Sequence, residues 1–100
     1  MRTILIPNRV HLGDLKAQLI SILKDLNYLS ISNHISEEIE ARKGLSWRSY
    51  GETITINIYE IDAGYHIVVK SKSKSIQLID WGTNSENEEE ITNAIESQFL

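Results

Sequence analysis

The chain lacks cysteine altogether, and its 100 residues include a single proline and only five glycines. Without cysteine the protein has no disulfide, no thiolate metal site and no thiol nucleophile, which is typical of a chain that folds in the reducing cytoplasm. With 41% hydrophobic and 24% charged residues, the composition is that of a globular protein. We therefore expect residues 1–100 to form one cytoplasmic domain around one hydrophobic core.

Long hydrophobic runs are missing as well. No stretch approaches the ~18 apolar residues that a membrane-spanning helix needs, and the apolar residues 4–6 stop at Pro7, well short of a secretory signal. An excess of basic charge is also absent, because the formal net charge is -4. Since nucleic-acid binding depends on cations that neutralise phosphates, the composition predicts no membrane segment and disfavours general affinity for nucleic acid.

What the chain does contain is a clear change of periodicity. Apolar residues of segment 12–26 recur at steps of three and four, which predicts an amphipathic helix. Residues 53–58 alternate strictly, which predicts a half-buried strand. Together with similar patterns elsewhere, these signals predict seven elements: a strand over 2–6, a helix over 12–26, strands at 29–31 and 38–42, strands over 53–58 and 65–74, and a helix that begins near Ser85.

A hairpin is predicted between the last two strands. Residues opposite each other in an antiparallel pair point to the same side, so the even-numbered Ile56 and the odd-numbered Ile67 share a side only if the loop has an even length. A two-residue turn at Ala63 and Gly64 and a four-residue loop over 61–64 both satisfy this condition. We favour the longer loop, because alanine adopts positive φ poorly whereas Gly64 adopts it readily.

The acidic segment that follows predicts a second helix. Ser85 and Glu88 have the spacing of a capping box, and glutamates suit the positive end of the helix dipole. The segment lacks the alternating acidic positions and the central glycine of a calcium-binding EF-hand loop. An apolar stripe follows it, formed by Ile91, Ala94, Ile95 and Phe99.

These elements, in the order β-α-β-β-β-β-α, predict an α+β fold of two layers, in which both helices cover one face of an antiparallel sheet and leave the other face open. The order is similar to that of the TATA-binding-protein-like fold and, in outline, to that of the helix-grip carriers of lipids and hormones. In addition, the segments SWRSYGE at 46–52 and DWGTN at 80–84 resemble signature segments of an uncharacterised family of small bacterial α+β domains. The resemblance implies a fold and attaches no activity to it.

The open face is predicted to carry an apolar patch of Tyr59, Ile61 and Val68. A contiguous exposed apolar patch indicates a surface for a protein partner or for self-association, whereas scattered exposed apolar residues are an ordinary property of protein surfaces. The patch supports our leading hypothesis, which is a small cytoplasmic binding module that contacts another protein or a second copy of itself.

The same face is predicted to carry a basic row of His66, Lys70, Lys72 and Lys74. Such a row is typical of an anion or nucleic-acid surface, with Tyr59 available for stacking on bases. Lysines on exposed strands also discourage unwanted strand pairing, and we favour that interpretation. Three carboxylates predicted on this face cancel part of the basic potential: Glu38, Glu40 and Glu60. Weak nucleic-acid binding is therefore an alternative rather than the leading hypothesis.

A ligand cavity between the sheet and the helices is the third possibility. Trp47, Tyr50 and Trp81, together with Phe99, have apolar bodies that suit the rim of a pocket for a small apolar ligand. The alternative is that these residues fill the edges of the core. We favour the alternative, because a five-stranded domain of this length has little spare volume.

Signals for catalysis are weak. The three histidines lie far apart in sequence without a His-x-x-x-His pair, and Ser46 lacks the second glycine of a nucleophile elbow. No glycine-rich phosphate loop is present in the sequence. We therefore expect a protein that is not an enzyme, with no catalytic residue, no metal and no cofactor.

Overall fold

A computed structural model describes residues 1–7, 10–28, 30–35, 38–43, 52–73 and 83–99. Within these ranges the elements follow the predicted order β-α-β-β-β-β-α. They are β1 (Arg2–Pro7), α1 (Leu12–Asp25), β2 (Ser30–Ile35), β3 (Glu38–Lys43), β4 (Glu52–Ile61), β5 (Gly64–Ser73) and α2 (Thr83–Phe99). The predicted α+β class is therefore confirmed.

The strands form one five-stranded sheet in the order β1-β5-β4-β3-β2, and all neighbours are antiparallel. The strands β2 to β5 follow one another as a meander, whereas β1 adds to the far edge beside β5. The longest strands, β4 and β5, have ten residues each. In this strand order β4 is the central strand of the sheet, and β1 and β2 are its edges.

One face of the sheet is buried. Ile56 is fully buried between its paired neighbours Ile39 and Val69, and the same alternation buries Ile4 and Ile67 further along the sheet. Both helices cover this face with their apolar stripes, since α2 contacts β5 and β1 while α1 contacts β3 and α2. The helical residues of the core are Leu15, Leu19, Ile22, Leu23, Ile91 and Ile95. The predicted two-layer arrangement, with both helices on one face, is thus confirmed.

The hairpin between β4 and β5 has the register that the longer loop predicts. Glu60 pairs with Tyr65, and pairing continues for one more step, to Ile61 and Gly64. Gly64 has a φ of 142°, a value that a side chain disfavours and that glycine tolerates. The preference for Gly64 as the positive-φ residue is correct, although the unpaired turn itself is limited to residues 62–63.

The C-terminus of α1 is closed by a Schellman motif. The N–H of Tyr28 donates to the carbonyl of Leu23 and the N–H of Asn27 donates to the carbonyl of Lys24, both at 3.0 Å. Asn27 has a φ of 70°, the left-handed conformation that this motif requires of the residue after the helix. The motif turns the chain sharply, so that Tyr28 is buried against the core.

Two local predictions are wrong. Helix α2 begins at Thr83, so Ser85 lies inside the helix rather than at its cap, and Glu88 is buried and bound to the sheet instead of closing a capping box. Glu60 does not lie on the open face, because it pairs with the buried Tyr65 and shares the helix side with Ile58. Side chains alternate between the two faces along β4, and its even-numbered residues face the helices, so this alternation also assigns Glu60 to the helix side.

Candidate functional site

Strand pairing brings residues from three strands into one row on the open face. Leu5 of β1 lies opposite His66 of β5, and His66 lies opposite Tyr59 of β4. The ring centroids of Tyr59 and His66 are 6.4 Å apart, with their planes tilted by 53°. The sequence pattern predicts Tyr59 and His66 on this face, whereas Leu5 joins them only through the pairing of β1 with β5.

The apolar end of the open face consists of Leu5, Tyr59, Ile61, His66 and Val68. Leu5 and Tyr59 are each 53% exposed and Ile61 is 41% exposed, while His66 and Val68 are half-buried. Among the described residues, the one other large hydrophobic side chain with such exposure is Met1. The large exposed apolar side chains are therefore concentrated at one end of one face.

The charged end of the open face consists of Lys70, Lys72, Glu40 and Arg42. Thr55 of β4 pairs with Lys70 on one side and with Glu40 on the other, and Thr53 pairs with Lys72 and Arg42 in the same way. The guanidinium of Arg42 donates to Glu40 Oε1 at 3.4 Å. This end thus carries three cations and one carboxylate, and Glu40 offsets part of the basic potential.

The structure does not describe the residues of the predicted ligand rim. Trp47, Tyr50 and Trp81 lie outside the described residues, so the structure describes only the fourth aromatic, Phe99, which is half-buried. Phe99 borders a depression of about 280 Å³ near the C-terminus of α2, and a second depression of about 400 Å³ lies near the N-terminus of α1. The residues that line them are Ile6, Pro7, Val10, Gln18, Gln98 and Phe99 in the first, and Leu12, Ile58, Tyr59 and Glu60 in the second.

A buried polar cluster that was not predicted from the sequence lies between the sheet and α2. The backbone N–H of Ser71 donates to Glu88 Oε2 at 2.9 Å. The side-chain amide of Asn87 donates to Glu52 Oε1 at 3.2 Å and reaches Ser71 Oγ at 3.5 Å. All four residues are buried. Two of its four residues could have been predicted from the alternation of side chains along the strands, because Glu52 and Ser71 continue the inward-facing positions of β4 and β5.

Charges around the cluster act on neighbouring groups. The α-amino group of Met1 lies 2.7 Å from Glu88 Oε1, which compensates the buried carboxylate. The pKa of Tyr28 is raised well above its usual value, mainly because burial disfavours the phenolate and further because Glu90 and Glu52 repel it. We interpret the cluster as a structural connection between α2 and the sheet, since its polar atoms are directed at one another.

The described residues contain neither a metal-binding cluster nor a membrane-spanning helix. No three histidine, aspartate or glutamate side chains there converge in a way that would hold a metal ion. Neither described helix combines the length and the apolar character needed to span a membrane.

A comparison with models of known protein families gives no match for this chain, and a comparison with curated protein sequences gives none either.

Proposed function

We propose that this chain is a protein-interaction module that binds its partner through the open face of the sheet. The observation that carries the proposal is the row Leu5, His66 and Tyr59, with Ile61 beside it, in which apolar side chains are held side by side by strand pairing and left exposed. The cytoplasmic location, the TATA-binding-protein-like relationship and the bacterial family suggested by the sequence are part of the proposal.

The composition of the open face supports this function. Protein interfaces combine an apolar core, in which tyrosine is enriched, with a polar rim. Here the apolar end supplies the core, and the charged end, with Lys70 and Glu40, supplies part of the rim. Because the hydrogen-bonded sheet already fixes the backbone of these residues, only side-chain entropy is lost when a partner covers them.

The other hypotheses have less support. A carrier of a small apolar ligand depends on Trp47, Tyr50 and Trp81, which lie outside the described residues. A weak nucleic-acid surface depends on Lys70, Lys72 and Lys74. Of these, Lys74 lies outside the described residues, and Lys70 lies across β4 from the Glu40 carboxylate. Both stay predictions, as do the absence of enzymatic activity and the absence of a cofactor.

Site-specific photo-crosslinking tests the proposal. A benzophenone amino acid in place of Tyr59 should yield crosslinked adducts of defined mass in the cells that produce the protein, because this position is covered by the partner. The matched control carries the same group in place of Glu96, which is exposed on α2, away from the open face. Equal crosslinking from both positions, or no adduct from Tyr59, would contradict the proposal.

A further inference from the structure

We infer that the partner of the open face is a second copy of this chain, related to the first by a two-fold axis that runs along β4. This inference rests on the proposed function, since it names the partner of the same surface. Three features of the face carry it: the central position of β4, the arrangement of opposite charges about that strand, and the area available for contact.

The strand order places β4 in the middle of the five strands. When a second sheet is turned by 180° about an axis parallel to β4 and packed face to face, β5 lies over the partner's β3 and β1 lies over the partner's β2. The two faces then overlap completely, which an axis over any other strand does not achieve. Each row of one sheet meets the same row of the other, so the apolar ends meet each other, with Tyr59 and Ile61 near the axis.

One of the two charged rows about β4 suits this symmetry. Lys70 and Glu40 flank Thr55 in one row, on opposite sides of the central strand. The two-fold axis therefore places Lys70 opposite the partner's Glu40 and Glu40 opposite the partner's Lys70. An isologous interface repeats every contact, so this row contributes two ion pairs to one dimer.

The local charge also permits self-association in spite of the acidic chain. The chain has a formal net charge of -4, and two such molecules repel each other at long range. On the open face, however, the described charged residues are three cations against two carboxylates. These residues are Arg42, Lys70, Lys72, Glu38 and Glu40. Each face therefore carries a net charge of only +1 (three minus two), so the contacting surfaces repel each other only weakly.

The area is sufficient for a dimer. Five strands of six to ten residues, spaced ~4.8 Å apart with ~3.3 Å per residue, offer roughly 600 Å² of face. Stable interfaces bury about 800 Å² on each partner, so a face of this size suits a weak, concentration-dependent dimer. Two sheets packed in this way interdigitate their side chains at a separation of about 10 Å.

One row opposes the dimer and gives the inference its sharpest test. Lys72 and Arg42 flank Thr53, so the same axis places Lys72 opposite the partner's Arg42, which is a contact between like charges. Lys70→Glu replaces two attractive pairs by two repulsive ones, whereas Lys72→Glu replaces two repulsive pairs by two attractive ones. The two variants carry the same change of charge on the same strand, so each serves as the control for the other.

Sedimentation equilibrium of the full chain, from micromolar to submillimolar concentration, measures the outcome. We expect a concentration-dependent dimer whose Kd rises about tenfold in Lys70→Glu and falls several-fold in Lys72→Glu. The double variant Lys70→Glu with Glu40→Lys should recover most of the loss. A dimer in which both single variants shift the Kd in the same direction would overturn the inference.

The failure of this inference is distinguishable from the failure of the proposed function. A wild-type chain that stays monomeric at every concentration overturns the second copy as partner, and crosslinking from Tyr59 then decides the function. Adducts of another defined mass leave the open face as a binding surface for a different protein. Adducts of twice the chain's mass, together with the opposite effects of the two lysine variants, support both.

Discussion

The backbone N–H of Ser71 donates a hydrogen bond of 2.9 Å to the carboxylate of Glu88, and this contact joins the end of β5 to α2. Both residues are buried, so water does not replace the bond when it is lost. The bond also explains why a glutamate is tolerated in the interface between helix and sheet, because its carboxylate accepts a hydrogen bond from a buried backbone N–H.

Replacing Glu88 by alanine should lower the free energy of unfolding by about 2 to 3 kcal/mol, because the buried N–H of Ser71 loses its acceptor. Glu88→Gln should cost about half as much, since the amide oxygen still accepts the bond. Urea unfolding followed by circular dichroism measures both. The matched control is Glu89→Ala, an exposed neighbour whose pair with Arg2 at 3.6 Å should contribute less than about 0.5 kcal/mol. Equal losses for both alanine variants would show that the buried bond is not important.

Tyr28 should make stability depend on alkaline pH. Its pKa is raised in the folded protein, first by burial and then by Glu90 and Glu52, so the folded chain retains a proton that the unfolded chain releases near pH 10. The contribution is therefore complete below about pH 10 and is lost as the pH rises above it. Tyr28→Phe removes the ionising group, and its unfolding midpoint in urea should fall less between pH 9 and 11 than that of the wild type. Parallel pH profiles for the two proteins would contradict the assignment.

Asn27 should accept glycine with a gain in stability. Its φ of 70° is strained for most side chains, so Asn27→Gly should raise the free energy of unfolding by about 0.5 kcal/mol and Asn27→Ala should lower it by about 1 kcal/mol. Thermal unfolding of both variants measures the difference. A gain in the alanine variant would show that the left-handed turn after α1 is not required.

Ile56 and Thr55 test which face of the sheet is covered. Ile56 is fully buried, so Ile56→Ala should lower the free energy of unfolding by about 3 to 4 kcal/mol through lost burial and a residual cavity. Thr55→Ala, one residue away on the open face, should cost about 0.5 kcal/mol in the monomer. Chemical unfolding at a low protein concentration compares them, and similar costs would be incompatible with a one-sided sheet.

Much of the fold was predictable because the relevant signals are local. The alternation of Ile54, Ile56 and Ile58 limited the hairpin to an even-length loop, and the preference for Gly64 at positive φ then selected the register that pairs Glu60 with Tyr65. The steps of three and four residues likewise predicted the buried stripe of α1. In each case the information lies within a few consecutive residues, since the period of a strand or helix is a property of the backbone.

The site was only partly predictable. In the run Ile4, Leu5 and Ile6 all three residues are apolar, so alternation alone does not reveal which of them is exposed. The capping-box spacing of Ser85 and Glu88 was misleading, because the same glutamate is bound by a strand that is 17 residues away in sequence. Contacts of this kind depend on which elements become neighbours, and no local pattern encodes that.

The sequence by itself determined which side of β4 and β5 is apolar and that two amphipathic helices have to cover one side, because burial of apolar surface dictates both. Only the tertiary structure decided that β1 pairs with β5. That pairing places Leu5 beside His66 and Tyr59, and it leaves β4 in the centre of the sheet. The physical reason is that strand order is set by the joint packing of all elements around one core, to which residues distant in sequence contribute equally.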